Sequence, residues 1–267
     1  MKFFKMHGCG NDFVVIDYQE NVDYAQLAIK LCNRKTGIGA DGLIAVKQGH
    51  LEMIFYNQDG SRASMCGNGI RCFARYVYEN KYVNSLKFDV LTLAGTMKIE
   101  IKNLNPFTCR VDMGLPIFTN QMINVSDCLN SFGRIVEVDG YNLTLYSFYM
   151  GTVHTVVFVD SLESQCLSIA EKICKHKIFK KQTNVNFVHI INDKTIEMRT
   201  FERGVGWTLA CGTGACASVV CANKLGLVAN ECRVLLELGH LDIIVNKKGI
   251  LMDGPAEISF IGDFKEE

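Results

Sequence analysis

Two short strings in the chain join a cysteine to a glycine-rich turn. Cys66-Gly67-Asn68-Gly69 stands in the first half and Cys211-Gly212-Thr213-Gly214 in the second. Thiolate is the reactive form of cysteine. It is favoured at a helix N-terminus, where unpaired N–H groups carry partial positive charge. Glycines let such a backbone approach an anion closely. One such turn suits a nucleophile or an anion cradle; two, from related halves facing one cleft, permit something more specific. A carboxylate could be held by backbone N–H groups of Gly67, Asn68, Gly212 and Thr213, with the adjacent α-carbon of an amino acid between two sulfurs. One cysteine, as thiolate, would take the α-proton from one face, and the other, as thiol, would deliver a proton to the opposite face. The carbanion's charge would spread onto the held carboxylate. Such chemistry calls for no cofactor, and no lysine context argues for pyridoxal phosphate.

The elements around the two strings repeat as well. Each string leads into apolar residues at helical spacing: Ile70, Phe73, Ala74 and Val77 in the first half, Ala215, Val219, Ala222 and Leu225 in the second, with Gly226 as a stop. A strand, a glycine turn and an alternating second strand follow each helix, around Gly95 and around Gly239. Further strands are predicted at 13–17, 43–46, 51–56, 154–160 and 187–191, and helices near 24–32 and 166–176. The sum is a strand-rich α/β chain of two similar halves with a boundary near 113–118.

Composition narrows the class. The 267 residues carry 28 basic and 28 acidic side chains, so no charge excess points to nucleic acid. Lys5, His7, Asn11 and Asp12 interrupt any secretory apolar core, and no run of about 18 apolar residues suggests a membrane span. A cytoplasmic location is expected. The chain has 12 cysteines but no C-x-x-C pair, which argues against structural zinc; no metal is expected. Most of these cysteines, Cys72 and Cys216 among them, read as small buried hydrophobes. The glycine-rich stretch 37–42 lacks the Gly-Lys-Ser/Thr ending of a phosphate loop.

Further strings stand in order along the chain. They are Lys5-Met6-His7-Gly8-Cys9-Gly10-Asn11-Asp12-Phe13, Gly37-Ile38-Gly39-Ala40-Asp41-Gly42, Asn57-Gln58-Asp59-Gly60-Ser61, Thr183-Asn184-Val185-Asn186-Phe187 and Arg199-Thr200-Phe201-Glu202-Arg203-Gly204. With the two cysteine strings they resemble the diaminopimelate epimerase family over nearly the whole chain. The resemblance implies an α/β (α+β) fold of two pseudo-symmetric domains, each a mostly antiparallel sheet or barrel wrapped on a central helix, with the active site in the cleft between them. The domains are expected at 1–115, joined by a C-terminal strand at 257–267, and at 116–256. The resemblance implies Cys66 and Cys211 as the two bases, with Asn11, Asn57, Asn184, Glu202 and Arg203 as substrate contacts. His154 would orient the substrate amine near Cys66, and Asp12 is read as structural. A small amino-acid substrate and a homodimer are expected.

The chain departs from the family pattern at two positions that bear on substrate. Thr152 stands where an asparagine is usual in Met150-Gly151-Thr152-Val153-His154, and Trp207, the only tryptophan, replaces an acidic residue four positions before Cys211. The expected reaction is inversion of the α-carbon of diaminopimelate or a close diamino-dicarboxylate, with a racemase of another amino acid as the alternative. A non-catalytic metal or redox protein using its many cysteines is the alternative of another class.

Overall fold

The computed structural model describes residues 1–123, 131–163 and 165–265. The chain divides into two compact units, Met1–Asp112 with Asp253–Glu267, and Met113–Met252. The predicted C-terminal strand at 257–267 falls partly outside the described residues.

The first unit opens with β1 (Lys2–Gly8) and β2 (Asn11–Asp17), an antiparallel pair joined at Cys9 and Gly10, both at positive φ. Helix α1 (Tyr24–Cys32) crosses to β3 (Gly42–Lys47), which lies parallel to β2. Asp23 caps α1 by accepting from the N–H groups of Ala25 and Gln26. β4 (Glu52–Asn57) pairs antiparallel with β3, and α2 (Gly67–Glu79) leads from it to β5 (Lys87–Thr92), parallel to β4. β6 (Gly95–Leu104) and β7 (Phe107–Asp112) complete an antiparallel meander.

In the second unit a short helix, α3 (Asn120–Ile123), precedes β8 (Phe132–Val138), β9 (Tyr141–Met150) and β10 (Thr152–Phe158), all antiparallel. A 3₁₀ turn (Gln165–Ile169) and α4 (Ala170–Cys174) cross to β11 (Asn184–Asn192), parallel to β10. β12 (Thr195–Glu202) returns antiparallel and folds back on the short β13 (Gly206–Thr208). Helix α5 (Gly212–Lys224) leads to β14 (Glu231–Leu236), parallel to β12, and β15 (Gly239–Asn246) pairs antiparallel with β14. β16 (Gly249–Pro255) carries the chain back to the first unit, where β17 (Glu257–Asp263) pairs antiparallel with β1.

The two units therefore share one plan. An antiparallel pair, a helical crossover to a parallel neighbour, a second antiparallel pair, a second helical crossover and a hairpin occur in the same order in each. The hairpin glycines even share a backbone angle, φ +111° at both Gly95 and Gly239, a left-handed conformation that glycine adopts without steric cost.

Each plan is built around the helix of its second crossover. α2 packs on β1, β2, β3 and β7, and Ile70, Phe73, Ala74 and Val77 are fully buried. α5 is covered by strands β9 to β12, β14 and β15, and Ala215, Val219 and Ala222 are fully buried. Burying each of the larger apolar side chains stabilises the unit by about 1.5–3 kcal/mol. Leu225 departs from the expected stripe: it is the exposed C-cap of α5, because the helix stops one residue earlier. Gly226, at positive φ, donates to Asn223 O and closes the end.

Candidate active site

In the first unit Cys66 is the N-cap of α2, with extended backbone at φ −134°, ψ 122°. Its sulfur accepts from the N–H of Gly69 at 3.4 Å and donates to Asn11 Oδ1 at 3.6 Å. Asn68 Nδ2 donates to the same Asn11 oxygen at 3.0 Å. Asn11 owes its orientation to Asp41, whose carboxylate accepts from Asn11 Nδ2 at 2.6 Å. Asp41 is in turn gripped by Arg34, which also forks onto Asp12 through two hydrogen bonds. Lys5 closes on Asp12 at 2.6 Å and donates to Gly39 O. Burial pushes the Asp12 carboxyl up, but hydrogen bonds and charges from Arg34 and Lys5 outweigh it and hold the group at about 2. The reading of Asp12 as structural thus acquires a physical basis, although none of its partners was identified from sequence.

Asn57 ends β4, and its amide donates to Ser61 Oγ at 2.9 Å. The next residue, Gln58, donates its N–H to Asp41 O. Arg71 also shapes the mouth of α2. It is fully buried and donates to Gly67 O, Asn68 Oδ1 and Pro255 O, fixing the first turn of α2. Its place four residues beyond Gly67 in an otherwise apolar helix start was the available signal.

In the second unit Cys211 is the N-cap of α5 at φ −129°, ψ 108°, backbone angles similar to those of Cys66 in the first unit. Its sulfur lies 3.5 Å from Thr213 Oγ1. Thr213 Oγ1 is 3.0 Å from His154 Nε2, and His154 Nδ1 is 3.1 Å from Asn186 Nδ2. His154 is completely buried; desolvation, helped by the charge of Arg203, lowers its pKa to about 3, so the ring is neutral near pH 7. Asn184 sits opposite His154 in the β10–β11 register, and its Oδ1 accepts from the Arg203 N–H at 3.0 Å. The Arg203 guanidinium donates to Thr152 Oγ1 at 2.9 Å, and Glu202 accepts from Thr208 Oγ1 at 2.8 Å.

The structure thus brings together Asn11, Cys66, Gly67 and Asn68 in one unit. In the other it gathers His154, Cys211, Gly212 and Thr213, with Asn184 and Arg203 alongside and Glu202 tied to Thr208. Asp41, Asn186 and Thr200 are further members that sequence reasoning did not pick out. Polar side chains in strands reveal their partners only once the register is known.

A cavity of about 220 Å³ opens beside Cys211, walled by Trp207, Leu209, Met198, Thr200 and the Arg199–Glu237 pair. Trp207 packs edge-on against Phe201, centroids 5.6 Å apart. Cys211 is only 5% exposed yet lines this cavity. Burial pushes the thiols of Cys72 and Cys221 well above the ordinary value and those of Cys32 and Cys109 to about 12, which keeps all four protonated and inert. Among the described residues, no group of three or more His, Cys, Asp or Glu side chains is placed to hold a metal ion. Among the same residues no helix is long and apolar enough to cross a membrane.

The family model for diaminopimelate epimerase matches residues 3–119 and 146–259. A diaminopimelate epimerase of Caldanaerobacter subterraneus subsp. tengcongensis is 43% identical, covering 99% of this chain and 100% of the relative. One from Clostridium perfringens is 44% identical over 98% of each. Among solved structures, a phenazine biosynthesis protein of the PhzF family from Bacillus anthracis superposes with a TM-score of 0.75 at 16% identity, over 100% of this chain and 99% of that one. A hydroxyproline epimerase from Agrobacterium vitis does so with a TM-score of 0.67 at 14% identity, over 98% and 90%. These two likenesses speak to fold, two pseudo-symmetric α/β domains; the sequence matches speak to kinship. The chain belongs to the diaminopimelate epimerase family of isomerases.

Proposed function

We propose that the chain inverts the α-carbon of diaminopimelate, or of a close diamino-dicarboxylate, with Cys66 and Cys211 as the two acting sulfurs. The observation that carries this reading is the duplicated cap: each unit sets one cysteine at the mouth of its buried helix, with nearly the same backbone angles. The thiolate takes the α-proton and the electron pair is left on carbon, conjugated with the carboxylate. The opposing thiol supplies a proton to the other face, so substrate and product are isomers and the two sulfurs have exchanged roles. First-turn N–H groups of Gly67, Asn68, Gly212 and Thr213 would hold the reacting carboxylate, and the helix ends favour its charge. Arg203, with Asn57 and Asn184, would hold the distal carboxylate through its planar donor fork. Glu202 and His154 belong to the same set, and Asn11 steadies Cys66.

Family membership sets aside a non-catalytic metal or redox role. Thr152 and Trp207 favour one second reading, a racemase of another amino acid. Thr152 already occupies part of the Arg203 guanidinium, and Trp207 adds a large ring to the cavity beside Cys211.

A panel of amino acids incubated in D2O and resolved by chiral chromatography separates the readings. The proposal expects inversion with α-deuteration of the diamino-dicarboxylate alone, and loss of that activity in Arg203→Ala. Inversion of a monocarboxylic amino acid that Arg203→Ala leaves untouched would establish the second reading instead. A homodimer in the cytoplasm is part of the same proposal, and a light-scattering mass near 60 kDa, about twice the 29.9 kDa chain, is expected.

A further inference from the structure

The two sulfurs share a helix-cap setting but not their polar neighbours, and the difference assigns their resting charges. Asn186 is buried on β11, and its amide orientation is set by groups of fixed polarity. The Thr155 carbonyl can only accept, so the nitrogen, 3.5 Å away, must face it. The amide oxygen then accepts from Thr200 Oγ1 at 3.0 Å. The second N–H of the same nitrogen points at His154 Nδ1, which must therefore be the unprotonated ring nitrogen. The neutral ring carries its proton on Nε2 and donates it to Thr213 Oγ1. Accepting there leaves the threonine hydroxyl its own hydrogen to direct at the Cys211 sulfur, 3.5 Å away. Gly214 makes room for this arrangement: a Cβ there would stand 2.4 Å from Asn186 Oδ1.

In the first unit the polarity runs the other way. Asp41 can only accept, so Asn11 presents its oxygen to Cys66. An amide oxygen cannot donate, so the Cys66 sulfur holds the hydrogen of that contact while its lone pair accepts from the Gly69 N–H, as a thiol can.

We propose that Asn186 is a positioning residue that fixes the His154 tautomer, makes Thr213 a donor to Cys211, and so leaves Cys211 as the thiolate and Cys66 as the thiol of the resting enzyme. Cys211 is then the sulfur that removes the α-proton from the first substrate bound. The inference rests on the reading of Cys66 and Cys211 as the two acting sulfurs. Charged neighbours do not upset it. Arg199 and Glu237 line the cavity as an opposed pair, Glu202 is held by Thr208, and Arg203 by Thr152 and Lys181 O. On the other strands against α5, His189 faces Val159 O and Arg233 pairs with Asp242.

The test needs no turnover, so it stands apart from the substrate question. Reduced enzyme is alkylated with iodoacetamide across pH, and Cys66 and Cys211 are followed separately by peptide mass spectrometry. ¹⁵N-histidine NMR reads the His154 tautomer. The expected result is a lower alkylation midpoint for Cys211 than for Cys66, with the His154 proton on Nε2. Asn186→Leu and Thr213→Val should each raise the Cys211 midpoint by about one to two pH units, as for the loss of a hydrogen bond to a charged acceptor, while Thr213→Ser restores it. A lower midpoint at Cys66, a proton on Nδ1, or a Cys211 midpoint unmoved by both substitutions would overturn the proposal. Should a variant fail to fold, the two wild-type measurements decide.

Discussion

Small features of single residues carry much of the site. Buried and neutral, His154 has a pKa lowered from 6.5 to about 3, while the unfolded chain takes up a proton near the ordinary value. Its contribution to stability is therefore complete above about pH 6.5 and is lost as pH falls toward 3, at roughly 1.4 kcal/mol per pH unit. Urea titrations at pH 7 and pH 5 should show a drop in stability that His154→Gln largely removes; an equal drop in the variant would contradict the assignment. Gly214 gives a sharper test of packing. Gly214→Ala forces a methyl onto Asn186 Oδ1 and within 3.2 Å of Thr200 Oγ1, at a cost of about 1–3 kcal/mol read as a fall in Tm. The two cysteines and their glycines were legible from sequence because spacing alone marks a helix opening. Asn186 and Thr200 were not, since a polar residue in an apolar strand looks the same whether it meets solvent, a ligand or a buried partner.

At the scale of elements, the position of each cysteine cap depends on what locks the helix mouth. For α2 that lock is Arg71, which spans Gly67 O, Asn68 Oδ1 and Pro255 O from a fully buried position. Arg71→Met leaves these acceptors unmet, and a loss on the order of 2–4 kcal/mol is expected by denaturant unfolding, with Cys66 losing its alignment. The Lys5–Asp12–Arg34–Asp41 network locks the turn bearing Asn11. Because the Asp12 carboxyl is held at about 2, below its ordinary 3.8, the stability it lends is present above about pH 4 and fades as pH falls through 2. Asp12→Asn should flatten the acid limb of the unfolding profile; an unchanged limb would show that Asp12 adds nothing. Helices and hairpins were legible through the 3.6-residue spacing after each cysteine and the glycines at 95 and 239. The parallel pairings of β2 with β3 and of β10 with β11 were not, because they join segments separated by a crossover and leave no local signature.

Over the whole molecule, a repeated plan has placed two like caps in one chain, and the local surroundings have then made them unlike. On the proposed reading, equivalent sulfurs would leave the resting proton undecided; Asn11 beside Cys66 and Thr213 beside Cys211 break that symmetry. The duplication was visible in the sequence as two matched strings with matched helices and hairpins downstream. The asymmetry was not, because it resides in the orientation of side-chain amides. Substrate choice belongs to this scale too, since Thr152 and Trp207 alter the surroundings of Arg203 and Cys211 while leaving both caps intact.

The most direct measurement is inversion of the favoured diamino-dicarboxylate in D2O by wild-type enzyme, Cys66→Ser and Cys211→Ser, with the fold of each variant checked by circular dichroism. The account predicts one deuterium at the α-carbon of each newly inverted molecule and a fall in turnover of roughly 10²-fold or more in either folded variant. Wild-type turnover in either one, or inversion that brings in no deuterium, would contradict it.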